Sequence, residues 1–181
     1  MRIANARYPS LDDAFGNRGT SRFDDPRKIF KTLYCAADFE TCYSETLLRN
    51  EAFQPTSGRY VVTETDHNSK LLQLLVVDTA QLDLVDLMEP REMGYGYNAG
   101  LGPYSQTQAL AREFYDHKSQ PHGIVYQANF GFKQKPAIVL FDRARPYVRL
   151  LPGYVASPFA DLPEAFDALT KRYPIVLTPP V

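Results

Sequence analysis

Arg22, Tyr34 and Glu45 stand twelve and then eleven positions apart within TSRFDDPRKIFKTLYCAADFETCYSETLLR, residues 20–49. A guanidinium offers a rigid fork of donors that matches a phosphate or diphosphate. A tyrosine ring can stack on a flat heterocycle or hydrogen-bond a sugar hydroxyl through its phenol. A carboxylate beside a ribose can accept its hydroxyl protons and stabilise positive charge that develops at the anomeric carbon. Together the three side chains suit recognition of a dinucleotide. Each residue type is common, so the types alone do not single out this segment. Their local setting does.

Thr-Leu-Tyr-Cys-Ala-Ala at 32–37 runs aromatic and aliphatic residues together without a polar break, the pattern of a short buried strand. Asp38 follows as a helix N-cap. Phe39, Cys42, Tyr43, Leu47 and Leu48 then recur near helical spacing, with Arg49 at the C-terminal end. Glu45 falls mid-helix beside this apolar stripe. A strand, a turn and a helix in succession bring Tyr34 and Glu45 together, and Arg22 joins them if the segment before the strand folds back.

The elements that must carry this unit are less regular. Arg59 to Thr65 and Leu71 to Asp78 read as strands separated by a polar turn at Asp66 to Lys70, with a two-stranded hairpin as one option. Gly94 to Gly102, GYGYNAGLG, lacks the Gly-Lys-Ser/Thr ending of a phosphate-binding loop and reads as a surface loop bordering the site. Ser105 to His117 is a helix with Ala109, Leu110, Phe114 and Tyr115 on its apolar side; its Arg112 faces either the pocket or a surface ion pair. Gly123 to Asn129 and Ala137 to Phe141 read as paired strands joined through Lys-Gln-Lys-Pro. A strand at Val148 to Leu151, a short helix around Leu162 to Arg172 and a Pro-rich end complete the chain. Helices and strands mix without strict alternation, which favours an α+β class over a doubly wound sheet.

At 181 residues the chain has the length of one domain able to bury a core, and a net charge of -1 argues against a dedicated nucleic-acid binder. Cys35 and Cys42 are too few, and too embedded in apolar sequence, for a secreted disulfide scaffold, so both are expected to be reduced core thiols. His67 reads as a loop residue, and His117 and His122 bracket a turn with Pro121; all three are expected to be structural or solvated. No His, Cys or acidic motif has the spacing of a metal site. No apolar run approaches the roughly 20 residues of a membrane span, and the N-terminal residues lack the core of a signal peptide. A cytoplasmic location is the expectation.

The chain resembles the RES-domain family, named for an Arg, a Glu and a Ser. The matching stretches are SRFDDP with Arg22, LYCAADFETCYSETLLR with Tyr34 and Glu45, LDLVDL, YSQTQALAREFYDH and GIVYQANFGFKQKPAIVLFDRA, in the family's order. The resemblance runs over most of the chain and implies one RES-type domain over 1–181. It implies mixed and antiparallel sheets with flanking helices, similar to ADP-ribosyltransferases. NAD is then the substrate, with no metal, and the nicotinamide–ribose bond is cleaved with water, inorganic phosphate or a protein accepting ADP-ribose. Glu45, Arg22 and Tyr34 are implied as catalytic, and Arg22, Tyr34, Tyr126, Gln127 and Asn129 as NAD-binding. The biological role implied is the toxin of a toxin-antitoxin pair, a homodimer with a DNA-binding antitoxin of Xre type as partner, and no direct contact with nucleic acid or membrane. One position departs from the family: Ala128 stands where the pattern has Ser. Alanine has no side-chain hydrogen bond to offer, so either Asn129 or Gln127 supplies the polar contact or the activity is altered.

Overall fold

In a computed structural model, which describes residues 1–48, 53–54, 57–88, 102–128 and 135–179, the chain forms small sheets packed against few helices. In chain order the elements are β1 (Arg2–Asn5), β2 (Thr32–Ala36), α1 (Phe39–Leu47), β3 (Phe53–Gln54), β4 (Arg59–Thr63), α2 (Glu64–Asn68), β5 (Lys70–Gln73) and β6 (Leu75–Val77). They continue as β7 (Leu84–Asp86), α3 (Tyr104–Asp116), β8 (Gly123–Gln127), β9 (Pro136–Phe141), β10 (Val148–Leu150), β11 (Ser157–Pro158), α4 (Pro163–Thr170) and β12 (Ile175–Thr178).

The sheet that carries the site has the order β2-β9-β8-β7. β2 and β8 each run antiparallel to β9, and β7 runs parallel to β8. Its two faces bury different sets of side chains, because successive residues of a strand point to opposite sides. On one face Ile124, Tyr126, Ala128, Ala137, Val139 and Phe141 pack with Leu110, Ala111 and Phe114 of α3, and Tyr34 joins them. On the other, Leu33, Cys35 and Leu140 meet Leu11, Phe15, Ala144 and Val148. The strands approach closely at Gly123, where a Cβ would stand 2.3 Å from the Val139 carbonyl oxygen, so only glycine fits.

A third core lies on the far side of α1, with Tyr43 and Leu48 against Val62, Leu72, Phe159, Leu169 and Tyr173. It joins α1 to the sheets β12-β4-β3 and β1-β5-β11. Asp38 caps α1 as its sequence position suggested, accepting from Thr41 N at 2.9 Å. Glu40 in the first turn gathers Lys135 Nζ (2.9 Å), Arg172 Nη1 (2.6 Å) and the Tyr173 hydroxyl (2.7 Å), tying the helix to two distant parts of the chain.

Several expectations change here. Residues 59–78 do not form a hairpin: β4 pairs with β12 in parallel and β5 pairs with β1, while the polar stretch between them closes into α2. Thr63 caps that helix by accepting from Asp66 N, a local bond that a turn reading of the same polar residues overlooks. His67 is therefore helical and buried, its Nδ1 3.2 Å from the Tyr43 hydroxyl and its ring against Phe159 and Phe166. Ala109 faces solvent and Ala111 is buried in its place, since Thr107, Leu110, Ala111 and Phe114 form the inward face of α3. Arg112 takes the ion-pair option, bonded to Asp116 and to Asp25. Strands β1, β3, β7, β11 and β12 have no counterpart in the sequence reading. Residues 94–101 of the Gly/Tyr stretch, Arg49 and Asn129 lie outside the described residues.

Cys35 and Cys42 are free and buried, and burial pushes their thiols up to about 11 and about 12, so both stay protonated at neutral pH. No helix among the described residues is long and apolar enough to cross a membrane.

Candidate active site

The segment before β2 does fold back onto it. The Tyr34 hydroxyl accepts from Phe23 N at 2.9 Å and donates to Asp24 Oδ1 at 3.3 Å. Asp24 is 3 % exposed; it also accepts from Thr32 Oγ1 (2.8 Å) and Ser21 N (3.1 Å). This knot of bonds fixes Arg22 beside the strand. The Arg22 side chain is buried, with its guanidinium 5.2 Å from the centre of the Tyr104 ring and Nη1 donating to the Gly102 carbonyl at 3.4 Å.

Tyr126 is the point where these elements meet. On the register, Tyr34 aligns with Val139 and Val139 with Ile124, so Tyr126 stands two residues along on the same face with small Ala137 and Ala36 beside it. Its hydroxyl donates to Glu45 Oε2 at 3.3 Å, and its ring packs edge-on against Phe23 at 4.8 Å. Burial holds the phenol well above its ordinary range. The nearby charge of Glu45 and the Tyr34 phenol push the same way, and the Arg22 cation opposes them. Glu45, Tyr34 and Arg22 are thus all within electrostatic reach of one buried oxygen. A phenol that stays protonated is a permanent donor, so it orients the Glu45 carboxylate without competing for its charge.

The other expected binding residues separate. Gln127 follows Tyr126 on β8, and strand alternation sends it to the opposite face, whereas Ala128 returns to the face of Tyr126 and is 3 % exposed within the same core. A serine at 128 would therefore face the cluster, and the alanine leaves a methyl group there.

A cavity of about 580 Å³ adjoins the cluster. Tyr34 lines it directly, with Ser21, Asp24 and Thr46 from the immediate neighbourhoods of Arg22 and Glu45. Arg2, Arg18 and Lys70 add three cations to its wall. Arg2 was not foreseen. It is 7 % exposed, and its buried Nη1 has no hydrogen-bond partner among the described residues, an arrangement that costs free energy unless an anion joins it. Burial lowers the guanidinium to about 10, against the opposing pull of Cys35 and Asp13, which leaves it charged at neutral pH. An arginine second in a sequence reads as a solvated terminus, and no periodic signal marks it as buried. Among the described residues no cluster of His, Cys, Asp and Glu is placed to hold a metal ion.

The model of the RES domain matches residues 1–160. This chain belongs to the RES-domain family. A solved structure shares the fold: a chain of the crystal structure of the M. tuberculosis MbcT-MbcA toxin-antitoxin complex superposes with a TM-score of 0.63 at 20% sequence identity. The match covers 91% of this chain and 86% of that one. No curated protein matches the chain. The single-domain α+β architecture of this RES protein is thus a property of its fold and independent of close sequence likeness.

Proposed function

We propose that the site cleaves the nicotinamide–ribose bond of NAD and that the protein is the toxin of a toxin-antitoxin pair. The observation that carries the catalytic reading is the buried Tyr126 hydroxyl donating to Glu45 with Tyr34 and Arg22 around it. The nicotinamide ring carries a positive charge that it loses on departure, as the electron pair of the broken C1′–N bond returns to the ring nitrogen. No strong acid is needed, and what must be stabilised is the oxocarbenium-like ribose left behind. Glu45 supplies the negative charge, and Tyr126 holds it in place. Water or inorganic phosphate then adds to C1′, with the proton passing to solvent.

The cavity beside Tyr34 receives the rest of the dinucleotide. Tyr34 has its hydroxyl committed to Phe23 and Asp24, so its contribution is the ring face. Arg2 and Arg22 are the cations for the diphosphate, Arg2 from within the cavity wall and Arg22 from the cluster beside it. The family membership and the fold shared with a chain of a toxin-antitoxin complex support a toxin held in check by a partner antitoxin; a DNA-binding antitoxin of Xre type, a cytoplasmic location and a homodimer are what the family resemblance adds to the proposal.

Purified protein incubated with NAD, with and without phosphate, tests this. Release of nicotinamide with ADP-ribose, or with its phosphorylated form, is expected, and Glu45→Gln should lower that release by at least about a hundredfold while leaving the melting temperature near wild type. Wild-type rates in Glu45→Gln would reduce Glu45 to a structural residue. The buried methyl of Ala128 favours a second reading, a pocket that binds NAD and turns it over weakly; saturable NAD binding without product would select it. Adding a cell lysate to the incubation would reveal a protein that accepts ADP-ribose, as a mass increase on that protein.

A further inference from the structure

The stretch that carries Arg22, residues 19–25, lies outside any helix or strand, yet its backbone is held at several points by one distant helix. Thr107 Oγ1 donates to the Arg22 carbonyl at 2.7 Å. Gln108 Nε2 donates to the Ser21 carbonyl at 2.9 Å and to the Gly19 carbonyl at 3.3 Å. One turn further on, Arg112 Nη1 meets Asp25 Oδ2 at 3.2 Å, and at the start of the helix the Tyr104 ring lies 5.2 Å from the Arg22 guanidinium. Tyr104, Thr107, Gln108 and Arg112 fall at three- and four-residue spacing, so they form one stripe along α3.

Packing does not explain the chemistry of that stripe. Thr107 is completely buried, and a valine would fill nearly the same space but could not donate to the Arg22 carbonyl. Its hydroxyl also lies 3.2 Å from the Tyr104 carbonyl of its own helix, but the shorter bond crosses to the loop. We propose that Thr107 and Gln108 are positioning residues: by taking the carbonyls of residues 19, 21 and 22 they fix where the Arg22 guanidinium stands relative to Glu45 and Tyr126. A loop with no ladder of its own has many backbone states, and three hydrogen bonds from a rigid helix select one of them. The proposal rests on the reading that this cluster cleaves NAD.

The experiment compares Thr107→Val, which removes the hydroxyl at nearly constant shape, with Thr107→Ser, which keeps it. Thr107→Val should lower kcat/KM for nicotinamide release on the order of tenfold per folded molecule, and Thr107→Ser should stay near wild type. In an Arg22→Lys background the Val substitution should cause little further loss, because a residue that works through Arg22 has nothing left to position. A lower melting temperature with unchanged kcat/KM overturns the proposal, as does a full additional loss in the Arg22→Lys background. Arg22 is also read without turnover, through its side-chain Nε–Hε resonance, assigned by its disappearance in Arg22→Lys. Thr107→Val should shift or broaden that signal, and an unmoved resonance overturns the proposal. If the wild type releases no nicotinamide the catalytic reading fails, while the resonance still decides whether Thr107 positions Arg22.

Discussion

At the scale of single residues, the site depends on two side chains that bury polar groups where an apolar one would fold more easily. Tyr126 is 2 % exposed and gives its hydroxyl to Glu45. Tyr126→Phe keeps the ring against Phe23 and removes only the bond to the carboxylate. Because a hydrogen bond to a charged group is worth about 1.5–3 kcal/mol, nicotinamide release should fall by at least about tenfold with the fold intact. An unchanged rate in Tyr126→Phe would mean that the phenol serves packing alone. Arg2 presents the converse case: its buried Nη1 has no hydrogen-bond partner among the described residues, which costs stability. Arg2→Met keeps much of the side-chain volume and should raise stability by about 1 kcal/mol while weakening NAD binding measured by calorimetry. Unaltered affinity would remove Arg2 from the binding site.

At the scale of elements, β2, α1 and β8 deliver Tyr34, Glu45 and Tyr126, and β9 is the ruler between the two strands. Its spacing depends on Gly123, where an added Cβ would meet backbone at 2.3 Å and could not be relieved by a side-chain rotation. Gly123→Ala should therefore push β8 away from β9 at a cost of about 1–3 kcal/mol. The same movement displaces Tyr126 from Glu45, so the enzyme activity of the folded fraction should fall too. Full activity per folded molecule would show that the strand relaxes at Gly123 without carrying Tyr126 along.

At the scale of the whole molecule, distant segments are tied by carboxylates whose ionised form the fold prefers. Burial pushes the Asp25 carboxyl up, but the backbone amides of Ile29 and Arg27 and the Arg112 cation outweigh it and leave it below its ordinary value. Asp38 and Glu40 follow the same pattern: burial raises them, and hydrogen bonds from Thr41 and Lys135 to Asp38, and from Lys135 and Tyr173 to Glu40, bring them below. A lowered carboxyl contributes stability that is present above its unfolded value, near pH 4, and is lost as pH falls through the folded one. His67 is lowered by burial, so its contribution is present above about pH 6.5 and drains away below that. Thermal unfolding followed from pH 8 to pH 3 should therefore show a first decline below about 6.5 and a steeper one near 4. His67→Phe should remove the first decline selectively, and its persistence in that variant would assign it to another group.

The strand Thr32–Ala36, the cap at Asp38, the helix carrying Glu45 and the β8–β9 pair follow from local rules, since apolar runs, an acidic cap and period changes act within a few residues. So do the α+β class and the candidate trio of Arg22, Tyr34 and Glu45. Tertiary structure alone decides what depends on register and on long-range pairing. It converts an apparent hairpin at residues 59–78 into three strands of separate sheets, because β12, β1 and β10 offer partners from distant parts of the chain. It places Tyr126, rather than Gln127, beside Glu45, because alternation along β8 is read relative to β9. It buries Arg2 in a cavity wall and sets Thr107 against the Arg22 carbonyl and Gln108 against that of Ser21, each across more than 80 residues of sequence. Local sequence specifies which way a side chain alternates, but only the assembled sheets specify what it meets, since that free energy arises from contacts between segments that no short window contains.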